Sequence, residues 1–312
     1  MWIFDSTVVS LSTKLLKNCG YQIKGSEKRK QLKYTIGLKN GFPEKINLYC
    51  HKTYNSEDRA LGETILETKI RKNSMILFDR GLKTRRTFDT LTEKNLFFIS
   101  RLKKGYKMKI TSQNTNLSKN KDIIKEQEGY LYSKGEKRTK HIYRTIHIKS
   151  QNKNDQKTVI DKRTKTKAYA QLKSGKNVSK TKKELIQNVL TEDIIIVTNI
   201  SRKRMSAEEV AKTYRKRWHI ETFFKFVKQQ LNFSHLINRT ENGIKSMFYI
   251  IMLCALMLLV YKKENELSGY KFVKKRFMFE TEADLIIEAF KKETDLLKAN
   301  LLILAQFWEK NG

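Results

Sequence analysis

The stretch Lys212–Leu231, KTYRKRWHIETFFKFVKQQL, constrains the chain more than any other. Ser206 followed by Glu209 forms a capping-box signal ahead of it, and no Pro or Gly interrupts the run as far as Leu231. Ile220, Phe223, Phe224, Val227 and Leu231 recur with helical period, so one side of the predicted helix belongs in a core. Tyr214, Arg217, Glu221 and Lys228 follow at intervals of three, four and seven residues, roughly 90° around the axis from that apolar stripe. The adjacent side therefore faces a cleft and carries one carboxylate, two cations and a phenol. That grouping suits a metal ion and a phosphate. The plainer alternative is a solvated helix held by an i,i+4 pair of Arg217 with Glu221.

The surrounding chain is strongly basic. Its 312 residues hold 65 Lys and Arg against 32 Asp and Glu, a formal charge of +33 spread along the whole length. Such a charge points to a polyanionic partner, nucleic acid first. The length allows two or three domains, or one large domain with an insertion. Cys19, Cys50 and Cys254 are isolated, which argues against a disulfide framework or a zinc site and fits a reducing cytoplasm. The histidines show no ligand spacing, and no signal-peptide pattern opens the chain. One long apolar run, Met247–Tyr261, falls short of the ~20 residues a spanning helix needs and is read as a buried core helix; an interfacial or membrane role is the alternative.

Short apolar segments suggest strands over residues 1–12, Lys33–Asn40, Glu44–Cys50, Ser74–Gly81, Asn95–Leu102 and Asp193–Ile200. A turn is expected at Gly41-Phe42-Pro43, and helices over Ser56–Ile70 and Thr84–Lys94. After Lys103 the composition shifts to Lys, Thr, Asn and Ser. There His141–Lys149 and Lys157–Leu172 are the clearest β-like pieces, and the region reads as a separate basic insertion. The last fifty residues read as charged helix.

Asp5 and Asp79 share a context, each predicted at the end of an apolar strand. In α/β sheets, sites collect at the carboxyl ends of strands. Carboxylates gathered there are costly without a cation and make a hard oxygen site suited to Mg²⁺ or Mn²⁺. Glu221 from a later helix adds a third, the set that two-metal phosphoryl transfer requires. Taken singly, a strand-end Asp is more often a turn or helix cap.

Order, contexts and charge together resemble the DDE transposases of bacterial insertion sequences, in the insertion-sequence-four branch with its Y-x2-R-x3-E-x6-K signature. Tyr214, Arg217, Glu221 and Lys228 match that signature, Asp5 in FDST matches the first catalytic Asp and Asp79 in LFDRG the second. The resemblance implies an α/β fold: a ribonuclease-H-like mixed sheet flanked by helices, with a β-rich insertion between the second Asp and the catalytic Glu. The expected organisation is a core of residues 1–103 and 192–262, an insertion of 104–191 and a helical C-terminal region of 263–312.

By the family pattern Asp5, Asp79 and Glu221 hold two Mg²⁺ ions, for which Mn²⁺ substitutes. Tyr214, Arg217 and Lys228 contact phosphates or bases. Trp218 is set aside as a packing residue. The implied reaction is cleavage at transposon ends and strand transfer into target DNA. The implied partners are double-stranded DNA and a second copy in the synaptic complex, with no membrane, in the bacterial cytoplasm at the nucleoid. Relatives carry a DNA-binding region ahead of the first Asp, whereas four residues precede Asp5 here, so the resemblance implies an N-terminally truncated form. A catalytically silent remnant that binds DNA or a full-length partner is the alternative; a structure-specific nuclease on the same fold is a third reading.

Overall fold

A computed structural model describes residues 1–12, 20–23, 26–79, 82, 84–102, 105–114, 122–132, 138–149, 194–233 and 240–311. The expected strand Lys157–Leu172 lies outside these residues. The chain divides into two compact units, Met1–Glu221 and Thr222–Gly312.

The first unit is built on one mixed sheet. Its strands are β1 (Trp2–Ser12), β2 (Tyr21–Ile23), β3 (Ser26–Lys39), β4 (Phe42–Tyr49), β5 (Met75–Phe78), β6 (Phe97–Leu102), β7 (Lys107–Asn114), β8 (Ile123–Tyr132), β9 (Tyr143–Ile148) and β10 (Ile194–Thr198). The sheet order is β2-β3-β1-β5-β6-β10-β9-β8-β7, with β4 also on β3. Strands β1, β3 and β4 form an antiparallel meander, and β5 and β6 run parallel to β1. A meander followed by two strands parallel to the first is the ribonuclease-H-like arrangement that the resemblance implied. Strands β7, β8 and β9, from the Lys- and Thr-rich region, continue this same sheet.

The β3–β4 turn differs from expectation. Asn40 and Gly41 have φ of 53° and 88°, the paired positive angles of a two-residue type I′ hairpin. Pro43 lies inside β4 opposite Leu38, tolerated because β4 pairs on one side only among the described residues. Strand β1 also runs on past Asp5 to Ser12, paired throughout with β3.

Helices α1 (Glu57–Glu67) and α2 (Arg86–Glu93) cover one face. Leu61 and Ile65 of α1 and Phe88 and Leu91 of α2 join Trp2, Phe4, Ile76, Phe78, Phe98 and Val197 in the core. Burying a side chain of this size contributes about 1.5–3 kcal/mol. Side chains alternate along a strand, so the residues between these, Asp5 and Asp79 among them, belong to the opposite face. Helix α3 (Ala207–Arg215) carries Tyr214 on that side.

The segment predicted as one helix is two, α3 and α4 (Trp218–Gln230). Between them the amides of Lys216, Arg217, His219 and Ile220 bond to carbonyls three residues back, a 3₁₀-like tightening at Lys216–Arg217.

The second unit holds the rest of α4 together with α5 (Glu241–Glu264) and α6 (Tyr270–Asn311). Phe226 stacks on Tyr270 at 4.4 Å and Phe233 meets Phe248 edge-on at 5.2 Å. The apolar run lies in α5, but as a helix of 24 residues of which a third of the most apolar window is buried. Ile244, Phe248, Met252, Ala255 and Leu259 form its buried stripe, while Ile250, Leu253, Met257 and Val260 are exposed. By length and composition alone α5 could cross a membrane, as could the core helix of a soluble protein; the burial expected from sequence is seen along one side of it.

Candidate active site

Register brings the first two carboxylates together. Phe4 of β1 pairs with Phe78 of β5, so the next residue on each parallel strand, Asp5 and Asp79, stands beside the other. They lie on the face away from α1 and α2. The Ser6 amide donates to Asp5 Oδ1 at 2.8 Å. Burial pushes the Asp5 carboxyl up to about 7, only partly opposed by that amide and by Arg217, while Asp79 raises it further. A carboxyl so placed is ionised at neutral pH only in part unless a cation joins it.

Helix α3 is fixed at its start by the capping box that the sequence predicts: Glu209 N donates to Ser206 Oγ at 3.2 Å and Ser206 N to Glu209 Oε2 at 2.7 Å. One residue earlier, Arg144 Nη1 of β9 donates to the Met205 carbonyl at 2.6 Å. Arg144 is buried and paired with the buried Glu126 of β8, which also meets Arg202 at 3.0 Å. The strands beyond β10 thus anchor the entry to α3 through buried charge.

From that anchor α3 places Tyr214 over the strand ends. Its hydroxyl donates to Asp79 Oδ1 at 3.2 Å. Burial, followed by the charge of Asp79, raises the phenol well above its ordinary pKa, so it stays a donor. The tight turn at Lys216–Arg217 then aims Arg217 inward. Arg217 Nη2 donates to Glu221 Oε1 at 2.5 Å, and Nη1 lies 3.7 Å from Asp5 Oδ2. Its side chain is only 12% exposed, so the pair is no solvated i,i+4 bridge. Burial works against the guanidinium charge, but Tyr214, Asp79 and Glu221 together more than offset it and raise the pKa. Arg217 Nε and Nη1 are buried without a hydrogen-bond partner, which leaves the guanidinium with donors to spare beside the carboxylates.

Asp5, Asp79, Tyr214, Arg217 and Glu221 are therefore linked by contact or register. Lys228 lies two turns beyond Glu221 on α4, half-buried. Trp218, set aside from sequence as a packing residue, is 65% exposed. The tightened turn before it alters the angular count on which that reading rested. By chemistry the Asp5–Asp79 pair suits a hard divalent ion: two oxygen donors, one of them a buried carboxyl short of counter-charge. The third, Glu221, is held by Arg217, and among the described residues no three such side chains gather closely enough to hold an ion.

Comparison with known proteins bears on the family of the chain. Residues 2–258 match the family described as "Transposase DDE domain"; that family works with divalent metal ions. The transposase for insertion sequence element IS231B of Bacillus thuringiensis subsp. berliner is 26% identical over 282 residues, 82% of this chain and 57% of that protein. The putative transposase for insertion sequence element IS4SA of Synechocystis sp. is 27% identical over 266 residues, 83% of this chain and 60% of that protein. The chain thus spans a little over half the length of these curated relatives. Among solved structures, the piggyBac transposase synaptic complex with hairpin DNA aligns with 88% of this chain and 50% of that one, at a TM-score of 0.43 and 10% identity. With its family matched from Trp2 through most of its length, the chain belongs to the DDE-domain transposases of insertion sequences.

Proposed function

We propose that this chain cleaves DNA at transposon ends and joins the freed end to target DNA, with Asp5, Asp79 and Glu221 as the metal-binding carboxylates. The observation that carries this reading is the adjacency of Asp5 and Asp79 on parallel strands beneath Tyr214, Arg217 and Glu221. Two Mg²⁺ or Mn²⁺ ions would activate the attacking oxygen and steady the leaving one. The chain's own residues do the rest. Arg217 holds Glu221 and Asp5 in place and has donors to offer a phosphate; Tyr214 orients Asp79; Lys228 adds a second phosphate-binding cation.

In this reading, residues 1–103 and 192–262 form the catalytic core, 104–191 an insertion and 263–312 a helical region. Double-stranded DNA and a second copy assembled on it are the partners, at the bacterial nucleoid.

The test is incubation with supercoiled plasmid in Mn²⁺, Mg²⁺ or chelator, beside Glu221→Gln. Metal-dependent nicking that Glu221→Gln abolishes while DNA binding persists is the expected result. Nicking that survives the substitution would remove Glu221 from the site. A wild-type chain that shifts the plasmid but leaves it uncut would favour a silent DNA-binding protein.

A further inference from the structure

The row of strand positions that carries Asp5 and Asp79 continues onto β6. Phe78 pairs with Ser100 as Phe4 pairs with Phe78, so the next residue along each of three parallel strands is Asp5, Asp79 and Arg101. Neighbouring strands lie about 4.8 Å apart, which puts the Arg101 Cα about 5 Å from that of Asp79 and about 10 Å from that of Asp5. Ser100 Oγ donates to the Asp79 carbonyl at 3.3 Å and ties the two strand ends together. Phe98 and Leu102 turn into the core beneath α2, so Arg101 takes the other face, that of the carboxylates.

Arg101 is half-buried, and its charge reaches the Tyr214 phenol, where it acts against burial and Asp79. The two arginines of the site differ in what they already hold. Arg217 is engaged with Glu221 and Asp5. Among the described residues the Arg101 side chain makes no hydrogen bond or ion pair. A phosphate approaching Asp5 and Asp79 meets like charge, which Arg217 offsets only in part while it also holds Glu221. A planar guanidinium in the same row, with its donors uncommitted, is suited to take two phosphate oxygens at once.

We propose that Arg101 is a phosphate-binding residue of this site, holding non-bridging oxygens of a backbone phosphodiester of double-stranded DNA as it lies across Asp5 and Asp79. This assignment rests on the reading of the site as a DNA-cleaving centre. Arg101 stands in none of the spacings that mark the helix signature, and only the register of β1, β5 and β6 brings it in.

The test is the salt dependence of binding to a short DNA duplex, followed by fluorescence anisotropy in chelator, for wild type, Arg101→Ala, Arg101→Lys and a control, Arg71→Ala. Arg71 is exposed in the turn ahead of β5, at the opposite end of that strand from Asp79. Each phosphate contact contributes about 0.9 to the slope of log K against log salt. Arg101→Ala is expected to make the slope shallower by about 0.9, with Arg101→Lys and Arg71→Ala parallel to wild type. An Arg101→Ala line parallel to wild type, or an equal loss in Arg71→Ala, overturns the assignment. Plasmid nicking by the same proteins keeps the two readings apart: an uncutting wild type sinks the cleavage reading, while the slopes still decide whether Arg101 touches phosphate.

Discussion

Asp5→Asn offers the sharpest physical test of the site. Burial holds the Asp5 carboxyl at about 7 in the folded chain against 3.8 for the ordinary group, and its side chain is 20% exposed, so solvent screens it little. The sign follows from proton uptake. Between about pH 4 and 7 the folded state binds more protons than the unfolded one, so stability is full below the unfolded pKa and falls as pH rises through 7. The shift corresponds to roughly 4 kcal/mol at most. The substitution also takes a carboxylate from Arg217, so a net gain of about 2–3 kcal/mol for Asp5→Asn at pH 8 is the working figure. Near pH 4 the two proteins should be nearly equal. Urea unfolding followed by tryptophan fluorescence, in chelator across this range, measures the difference directly. A gain that stays the same at every pH, or an Asp5→Asn protein less stable than wild type at pH 8, would refute the reasoning.

Other substitutions probe the contacts around it. Arg217→Ala leaves Asp5 and Glu221 without their shared counter-charge and should cost roughly 2–3 kcal/mol, at or just below the low end for a broken buried pair because Glu221 is 35% exposed; added Mn²⁺ should restore part of that loss in a thermal melt. Gly37 lies opposite Phe4, and a Cβ there would stand 2.4 Å from the Phe4 ring, so Gly37→Ala should destabilise by about 1–3 kcal/mol in the same unfolding assay and disturb the strand next to Asp5. Lys228→Ala should weaken binding to DNA ends or slow cleavage with no change in circular dichroism; unaltered activity would make Lys228 a mere surface charge.

How much of this was legible in sequence varies with the kind of signal. The strands around Asp5 and Asp79 were plain because they are short apolar runs, and the capping box at Ser206 named the start of α3. The break at Lys216–Arg217 was not, since neither Pro nor Gly marks it. It follows from three-residue hydrogen bonds that a side-chain pattern does not record. The turn at Asn40–Gly41 carried the usual positive-φ pair, but the chain's single proline drew the boundary two residues too far along. Helix α5 was only partly legible for another reason: its apolar run is apolar all round, so periodicity cannot say which side packs. Arg101 shows the limit most clearly. Its place depends on pairing between β1, β5 and β6, a long-range relation no local spacing encodes.

The central claim is that Asp5, Asp79 and Glu221, drawn from three distant segments, act as one cation site. Titration of Mn²⁺ at pH 8, with the free ion followed by electron paramagnetic resonance, tests it on wild type, Asp5→Asn, Asp79→Asn and Glu221→Gln. Saturable binding by wild type and a loss of at least about tenfold in each variant, some 1.4 kcal/mol apiece, is the predicted result. Wild-type affinity retained by any one of the three would contradict the claim.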